Sequence, residues 1–182
     1  SYSKDPSMID AFVNNKDIHS QTASSVFNVP MDNVLPEMRR TAKIVNFGIM
    51  YGAGAFRLSQ ELSIPRKEAS LIINKYFEQF PGIKSYINDT IDSARKNKYV
   101  ETIFGRKRSI WDIDSENGIR KKAAERMAIN MPIQGSAAEM IKVAMIAIQE
   151  EITKNVMKSK MILQIHDELI FECPSGEEDL SL

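Results

Sequence analysis

Residues 36–52 read Pro36-Glu37-Met38-Arg39-Arg40-Thr41-Ala42-Lys43-Ile44-Val45-Asn46-Phe47-Gly48-Ile49-Met50-Tyr51-Gly52. Proline suits the first turn of a helix, where its missing N–H is one the helix leaves unbonded anyway. Gly52 and Gly54 stand where a C-terminal cap falls. Only Gly48 interrupts the run, so the spacing predicts one helix over 37–51. Along it Arg39, Lys43, Phe47 and Tyr51 recur at steps of four. At about 100° and 1.5 Å per residue, each step advances about 6 Å and drifts about 40°, so the four lie on a slanted stripe about 120° wide. Two cations followed by two aromatics suit a nucleoside triphosphate: the cations neutralise phosphate oxygens and the rings pack on sugar and base. The same stripe also fits an amphipathic helix with core rings and solvated cations. Gly48 tilts the balance, since glycine inside a helix costs about 1 kcal/mol relative to alanine and argues for close approach by something.

Outward from this helix, helical patterns dominate. Asp17 or Ser20 caps a helix running toward Val26, and Pro30 with Asn33 marks the turn after it. A short helix is predicted over 55–62, a periodic one from Pro65 to the Pro81-Gly82 pair, and another over 83–96. Residues 99–113 hold β-branched and aromatic residues around Gly105 and predict a small hairpin. A helix over 118–129 is predicted to be interrupted by Pro132 and Gly135, with a long helix over 136–156 beyond. Residues 161–165 and 169–172 are short apolar runs around a polar turn, the form of a β-hairpin. The class is α+β.

The 182 residues suffice for one sizeable core or two small ones. Hydrophobic residues at 43% and charged residues at 26% are ordinary for a globular protein. No apolar run approaches the roughly 20 residues that cross a bilayer, which excludes a membrane-spanning reading. The single Cys173 forms no intramolecular disulfide and fits a reducing, cytoplasmic compartment. Net charge is zero, against a dedicated nucleic-acid module, yet ten Lys and Arg fall between Arg95 and Arg126. From charge alone a solvated helical face is the better account of such a cluster.

Two further groups carry chemistry. Arg126 and Asn130 are four apart, and Gln134 follows Pro132; their amides can meet base edges or sugar and the guanidinium a phosphate, or Asn130 and Gln134 can serve as caps and turns. His166-Asp167-Glu168 occupies the hairpin turn. Carboxylates there can hold Mg²⁺, which takes hard oxygens and keeps waters that substrate phosphates replace, or they are ordinary turn residues.

Taken together these segments resemble the family-A DNA polymerases, the bacterial DNA polymerase I group. Residues 39–52 resemble its motif B, R-x-x-x-K-x-x-x-F-G-x-x-Y-G. Gln164-Ile165-His166-Asp167-Glu168 resembles motif C. Residues 126–135, Asp17-Ile18-His19 and the stretch from Glu101-Thr102 to Arg108 match the family pattern in order. The resemblance implies that His19, Arg39 and Lys43 contact the incoming deoxynucleoside triphosphate, with Phe47 by the sugar and Tyr51 near the templating position. It implies that Arg126, Asn130 and Gln134 face the DNA primer–template or the nascent pair, with Gln164 and His166 near the primer end. Asp167 would be the ligand of catalytic metal, with Glu168 a neighbouring acid of lesser role and Lys43 part of the catalytic set. It also implies that an aromatic at Phe47 influences sugar discrimination. The expected organisation is a segment over 1–16 just past motif A, helical fingers over 17–115, and a partial palm over 116–182 ending in the hairpin. The expected setting is the bacterial cytoplasm, at the nucleoid.

One departure matters. Two-metal chemistry calls for a second carboxylate, which the family takes from motif A, an Asp-Tyr-Ser-x-x-Glu-like segment; these 182 residues hold none, and Ser3-Lys4-Asp5-Pro6-Ser7 resembles the family's sequence immediately downstream of that motif. The expectation is a chain inactive by itself, with an incomplete two-metal Mg²⁺ site. The hairpin's unpaired strand edges are expected to be open to non-native dimerisation. A non-catalytic nucleotide- or nucleic-acid-binding module is the alternative, and a single-subunit RNA polymerase relative a third reading.

Overall fold

Helix α1 (Pro6–Val13) opens the fold of a computed structural model that describes residues 2–177. Ser1 and residues 178–182, the outer ends of the segments expected over 1–16 and 116–182, lie outside the described residues. There follow α2 (Ile18–Phe27), a 3₁₀ turn at Met31–Asn33, α3 (Pro36–Met50), α4 (Ala55–Leu62), α5 (Arg66–Gln79) and α6 (Pro81–Asn97). Strands β1 (Tyr99–Glu101) and β2 (Lys107–Ser109) pair antiparallel as the small hairpin expected around Gly105. A 3₁₀ turn at Trp111–Asp114 leads into α7 (Gly118–Lys154), and antiparallel β3 (Lys160–Ile165) and β4 (Glu168–Glu172) close the described chain. Seven helices and two hairpins among the described residues give the α+β class that the periodicities predicted.

Sequence reading missed α1 although its signal is plain. Asp5 stands before Pro6 and its carboxylate accepts from Met8 N–H at 3.0 Å, a side-chain cap on a helix with proline at its first position. The second oxygen accepts from Gly82 N–H at 2.8 Å, so one buried carboxylate ties the starts of α1 and α6. Gly82 is required for that approach: a Cβ there would lie 2.7 Å from Asp5 Cα.

A correction concerns α7. The break expected at Pro132 and Gly135 is absent, and the helix runs through both. Proline removes one ladder bond and crowds the preceding turn, at a cost of about 3 kcal/mol in an isolated helix. Here Ala128 and Ile129 are buried just before it, and two phenols support the carbonyls around it: Tyr86 donates to Ile129 O and Tyr2 to Pro132 O, each at 3.0 Å. Packing overrides the local penalty, which one residue's propensity does not reveal.

The chain forms two compact units, Ser1–Ile133 and Gln134–Leu182. The first has its main core where Val45 and Ile49 of α3 meet Leu58, Tyr76, Phe80 and Ile83. At about 1.5–3 kcal/mol per fully buried large side chain, this cluster dominates the helices' stability. A smaller cluster joins Ala94, Val100, Ile110, Ile113, Ala124 and Ala128. In the second unit Glu177 accepts from the backbone N–H of Lys158 and Ser159 and from the Ser159 hydroxyl, at 2.7–3.0 Å, which fixes the entry to β3. The hairpin leaves Ile162, Leu163, Ile165 and Ile170 exposed. Among the described residues no helix is long and apolar enough to cross a membrane.

Candidate functional site

Helix α3 is two-faced. Ala42, Val45, Asn46 and Ile49 are buried, whereas Arg39, Lys43, Phe47 and Tyr51 line the open side. The stripe is real as geometry. Lys43 Nζ stands 6.0 Å from the Phe47 ring centre, and the Phe47 and Tyr51 rings are 6.3 Å apart and inclined by only 16°. Both rings are exposed, at 42% and 41%, so they are not the core residues of the amphipathic alternative.

A groove of about 500 Å³ runs along this side, lined by Arg40, Lys43, Phe47 and Tyr51 of the α3 segment and by Arg57 and Glu61 of α4. Arg57 and Glu61, four apart on α4, pair at 2.8 Å. Gly48 opens onto this groove; a Cβ there would meet Ala53, Leu58 and Glu61 at 3.6–3.9 Å, ordinary contact distances. Among the described residues nothing approaches Gly48 more closely than ordinary contact, and the residue keeps the groove floor low.

His19 joins the stripe from α2. Its ring lies 5.9 Å from Phe47, and its Nδ1 is 2.8 Å from the side-chain nitrogen of Asn46. Asn46 is 3% exposed and Thr22 1%, and the Thr22 hydroxyl reaches both the Asn46 carbonyl oxygen and Ile18 O at 2.9 Å. Burial pulls the His19 imidazole below its ordinary value; Asp17 pulls the other way, and Arg39 and Lys43 reinforce the lowering.

Asp17 organises the other end. It caps α2, accepting from His19 N–H at 3.0 Å and the Ser20 hydroxyl at 2.8 Å, and it accepts from Arg39 Nε at 2.5 Å. The guanidinium holds the Asp17 carboxyl far below the usual carboxylate range, and Asp17 in turn raises Arg39. With Nε engaged, the two terminal nitrogens of Arg39 remain for a phosphate. Arg39 also sits in the first turns of α3, where the helix dipole favours an anion.

Arg126 packs against the far end of α3. Gly52 has a φ of +75°, and a Cβ on it would stand 2.9 Å from Arg126 Cγ. One turn along α7, the Asn130 side-chain oxygen is buried without a hydrogen-bond partner among the described residues. Asn130 lies inside the helix, and so does the exposed Gln134 of the second unit, so the cap and turn roles considered for both do not hold.

Gln164, His166, Asp167 and Glu168 form a group of their own in the second unit. β3 ends at Ile165, which pairs with Glu168, leaving His166 and Asp167 as the turn. His166 adopts a φ of +54°, uncommon for a side-chain-bearing residue, and its carbonyl accepts from Gln164 Nε2 at 2.9 Å. Asp167 and Glu168 are exposed hard-oxygen donors of the kind Mg²⁺ takes. No three His, Cys, Asp or Glu among the described residues are gathered for a metal ion, so these two carboxylates fit part of a coordination shell.

The basic stretch from Arg95 to Arg126 is partly neutralised. Arg95 pairs with Glu125 at 2.7 Å, Lys98 with Asp114, and Lys107 lies over the Tyr99 ring.

Residues 1–180 match the family described as DNA polymerase family A. The chain belongs to DNA polymerase family A. DNA polymerase I of Caldicellulosiruptor bescii is 52% identical over 178 residues, 98% of this chain and 21% of that protein. The thermostable DNA polymerase I of Thermus aquaticus is 46% identical over 172 residues, 94% of this chain and 20% of that protein. This family-A chain thus spans about a fifth of the length of the curated relatives it matches. Among solved structures, the POL domain of Pol1 from M. smegmatis, in complex with DNA primer-template and dNTP, is similar at 44% identity and a TM-score of 0.92, over 98% of this chain and 31% of that one. The family-A stripe of α3 was legible in sequence; Asp17 as partner of Arg39 and Asn46 as partner of His19 were not. The only signal for either is adjacency to a site residue, Asp17 two before His19 and Asn46 one before Phe47.

Proposed function

We propose that this chain is the nucleotide-selecting part of a template-directed DNA polymerase, which transfers a nucleotidyl group from a deoxynucleoside triphosphate to a primer 3′-hydroxyl. The observation that carries the reading is the single open face on which His19, Arg39, Lys43, Phe47 and Tyr51 converge. Arg39 and Lys43 neutralise phosphate, His19 donates to it, and the Phe47 and Tyr51 rings stack by sugar and base. Lys43 is the cation placed to stabilise charge that develops on the triphosphate.

Arg126, Asn130 and Gln134 meet the primer–template, with Gln164 and His166 near the primer end. Asp167 would hold Mg²⁺ with Glu168 in support, and the ion would supply neutralisation of phosphate charge there. Residues 17–115 act as fingers and 116–182 as part of the palm, in the cytoplasm at the nucleoid. The exposed hairpin edge supports strand-edge dimers of the isolated chain.

Calorimetric titration of the chain with a deoxynucleoside triphosphate and Mg²⁺ tests the binding step. Expected are binding of the triphosphate well above that of the nucleoside, and a loss of about tenfold or more with Lys43→Ala, the worth of one charge-assisted contact. Equal binding of nucleoside and triphosphate would end the reading. Because no motif A carboxylate occurs in these residues, the isolated chain is expected not to extend a primed template; extension that Asp167→Asn abolishes would overturn that expectation.

A further inference from the structure

Two helices are joined by a buried line of polar atoms, Thr22 to Asn46 to His19, that ends on the imidazole of the nucleotide site. We propose that Asn46 is a positioning residue for triphosphate binding: its side-chain amide, held by the Thr22 hydroxyl, donates to Nδ1 of His19 and so leaves Nε2 carrying the ring N–H, as a neutral donor to phosphate. The proposal rests on the triphosphate reading of the site.

A neutral imidazole has one donor nitrogen and one acceptor, and the partner of one decides the role of the other. With the Asn46 side-chain nitrogen 2.8 Å from Nδ1, and its oxygen 2.9 Å from the Thr22 hydroxyl, Nδ1 accepts and Nε2 donates. The competing arrangement turns the amide over. Its oxygen would then take a proton from Nδ1, its nitrogen would donate to Thr22, and the Thr22 hydroxyl would turn to Ile18 O, also 2.9 Å away.

Both arrangements satisfy the buried amide, so the surroundings of the ring break the tie. The turned amide demands either an imidazolium or an Nε2 lone pair. Arg39 and Lys43 on α3 oppose the imidazolium, as does burial, and only Asp17 ahead of α2 favours it. The cavity of about 680 Å³ beside the ring, walled in part by α1 and α6, is lined mostly by apolar side chains and holds no charged residue; its polar groups besides His19 and Asn46 are the Ser3 hydroxyl and two phenols. Its phenols, Tyr2 and Tyr86, give their hydroxyls to the carbonyls of Pro132 and Ile129. An Nε2 lone pair would face phosphate oxygens, lone pair against lone pair. Asn46 as donor and the anion as acceptor therefore select the same tautomer.

Long-range ¹H–¹⁵N spectra of the imidazoles test this on the whole chain, whose two histidines are told apart with His166→Gln. Expected for His19 are a pyridine-type Nδ1 and a pyrrole-type Nε2, with and without deoxynucleoside triphosphate and Mg²⁺. In Asn46→Asp a carboxylate can only accept, so Nδ1 becomes the N–H and His19 titrates about one pH unit higher. At a pH well above that titration, where the ring is neutral and Nε2 holds the lone pair, triphosphate binding weakens about tenfold while nucleoside binding holds. Thr22→Val, which frees the amide without removing it, gives a mixture of tautomers and serves if Asn46→Asp does not fold. A pyrrole-type Nδ1 in the wild-type chain would overturn the proposal, as would Asn46→Asp binding triphosphate at wild-type strength. His19→Gln without loss of triphosphate affinity would instead remove the site reading, leaving the tautomer result standing.

Discussion

Adding one methyl group at Gly82 tests how the starts of α1 and α6 are locked together. In Gly82→Ala the new Cβ would stand 2.7 Å from Asp5 Cα, 2.8 Å from its Cβ and 2.9 Å from Oδ2. Carbon atoms in contact sit about 3.5–4.0 Å apart, so the two segments must separate by roughly 1 Å. Two of the three clashing atoms are backbone or its first carbon, which no rotamer change moves. Overpacking of this kind costs about 1–3 kcal/mol. The separation also stretches the 2.8 Å bond from Gly82 N–H to Asp5, a charge-assisted contact worth about 1.5–3 kcal/mol. Alanine's better helix propensity offsets at most about 1 kcal/mol. The net loss is about 2–4 kcal/mol, which for a chain of this size lowers the thermal midpoint by about 5–15 °C. Urea denaturation gives the free energy, and hydrogen exchange at Met8 N–H, which Asp5 caps, gives the site of damage. A variant within about 0.5 kcal/mol of wild type with Met8 still protected would refute the lock.

Gly52→Ala is expected to cost about 1–3 kcal/mol, because φ is +75° there and the new methyl would press on Arg126 Cγ at 2.9 Å; chemical denaturation checks it. On acidification two losses of stability are expected. His19 is held below its ordinary 6.5, so its neutral form supports folding above that pH and the contribution drains away as pH falls toward the lowered value. Asp17 is held below its ordinary 3.8, so its contribution is whole above about pH 4 and fades below it, with a small amplitude because the pair is partly exposed. Thermal midpoints against pH should lose the first step in His19→Gln and the second in Asp17→Asn. If the proposed function holds, Phe47→Tyr in an active family-A polymerase bearing these residues should raise dideoxynucleotide incorporation; a primer-extension assay with equal termination by both forms would refute it.

Local signals made α2 to α6 and both hairpins legible because each rests on neighbours in sequence: Asp17 capping α2, Pro36 and Pro81 in first turns, Gly105 at a loop. What failed depended on residues far apart. Pro132 reads as a breaker until Tyr2 and Tyr86 are placed beside its turn, and Asp5 reads as a terminal acid until Gly82 meets it 77 positions away. The site divides the same way. A stripe at steps of four comes from helix geometry alone, whereas the Arg39–Asp17 and Asn46–His19 pairs join α3 to α2 across 22 and 27 positions. The left-handed His166 follows from the tight hairpin turn itself, since two-residue hairpin loops call for a positive φ.

The two faces of α3 explain why these rings stay open to solvent. Burying aromatics of this size would add stability of order 2 kcal/mol each, which the fold forgoes at Phe47 and Tyr51. It gains orientation instead. Val45 and Ile49, both fully buried, alternate with Phe47 and Tyr51 along one rigid helix, so the core that fixes the first pair also fixes the azimuth of the second. The rings are further held by one another and by Lys43, which approaches Phe47 at 6.0 Å. A loop carrying the same residues would lose side-chain and backbone freedom on each binding event, about 1–2 kcal/mol per residue for the backbone. On α3 that ordering is complete in the fold itself, so under the proposed reading a nucleotide would meet rings already set and its binding energy would not be spent on ordering them.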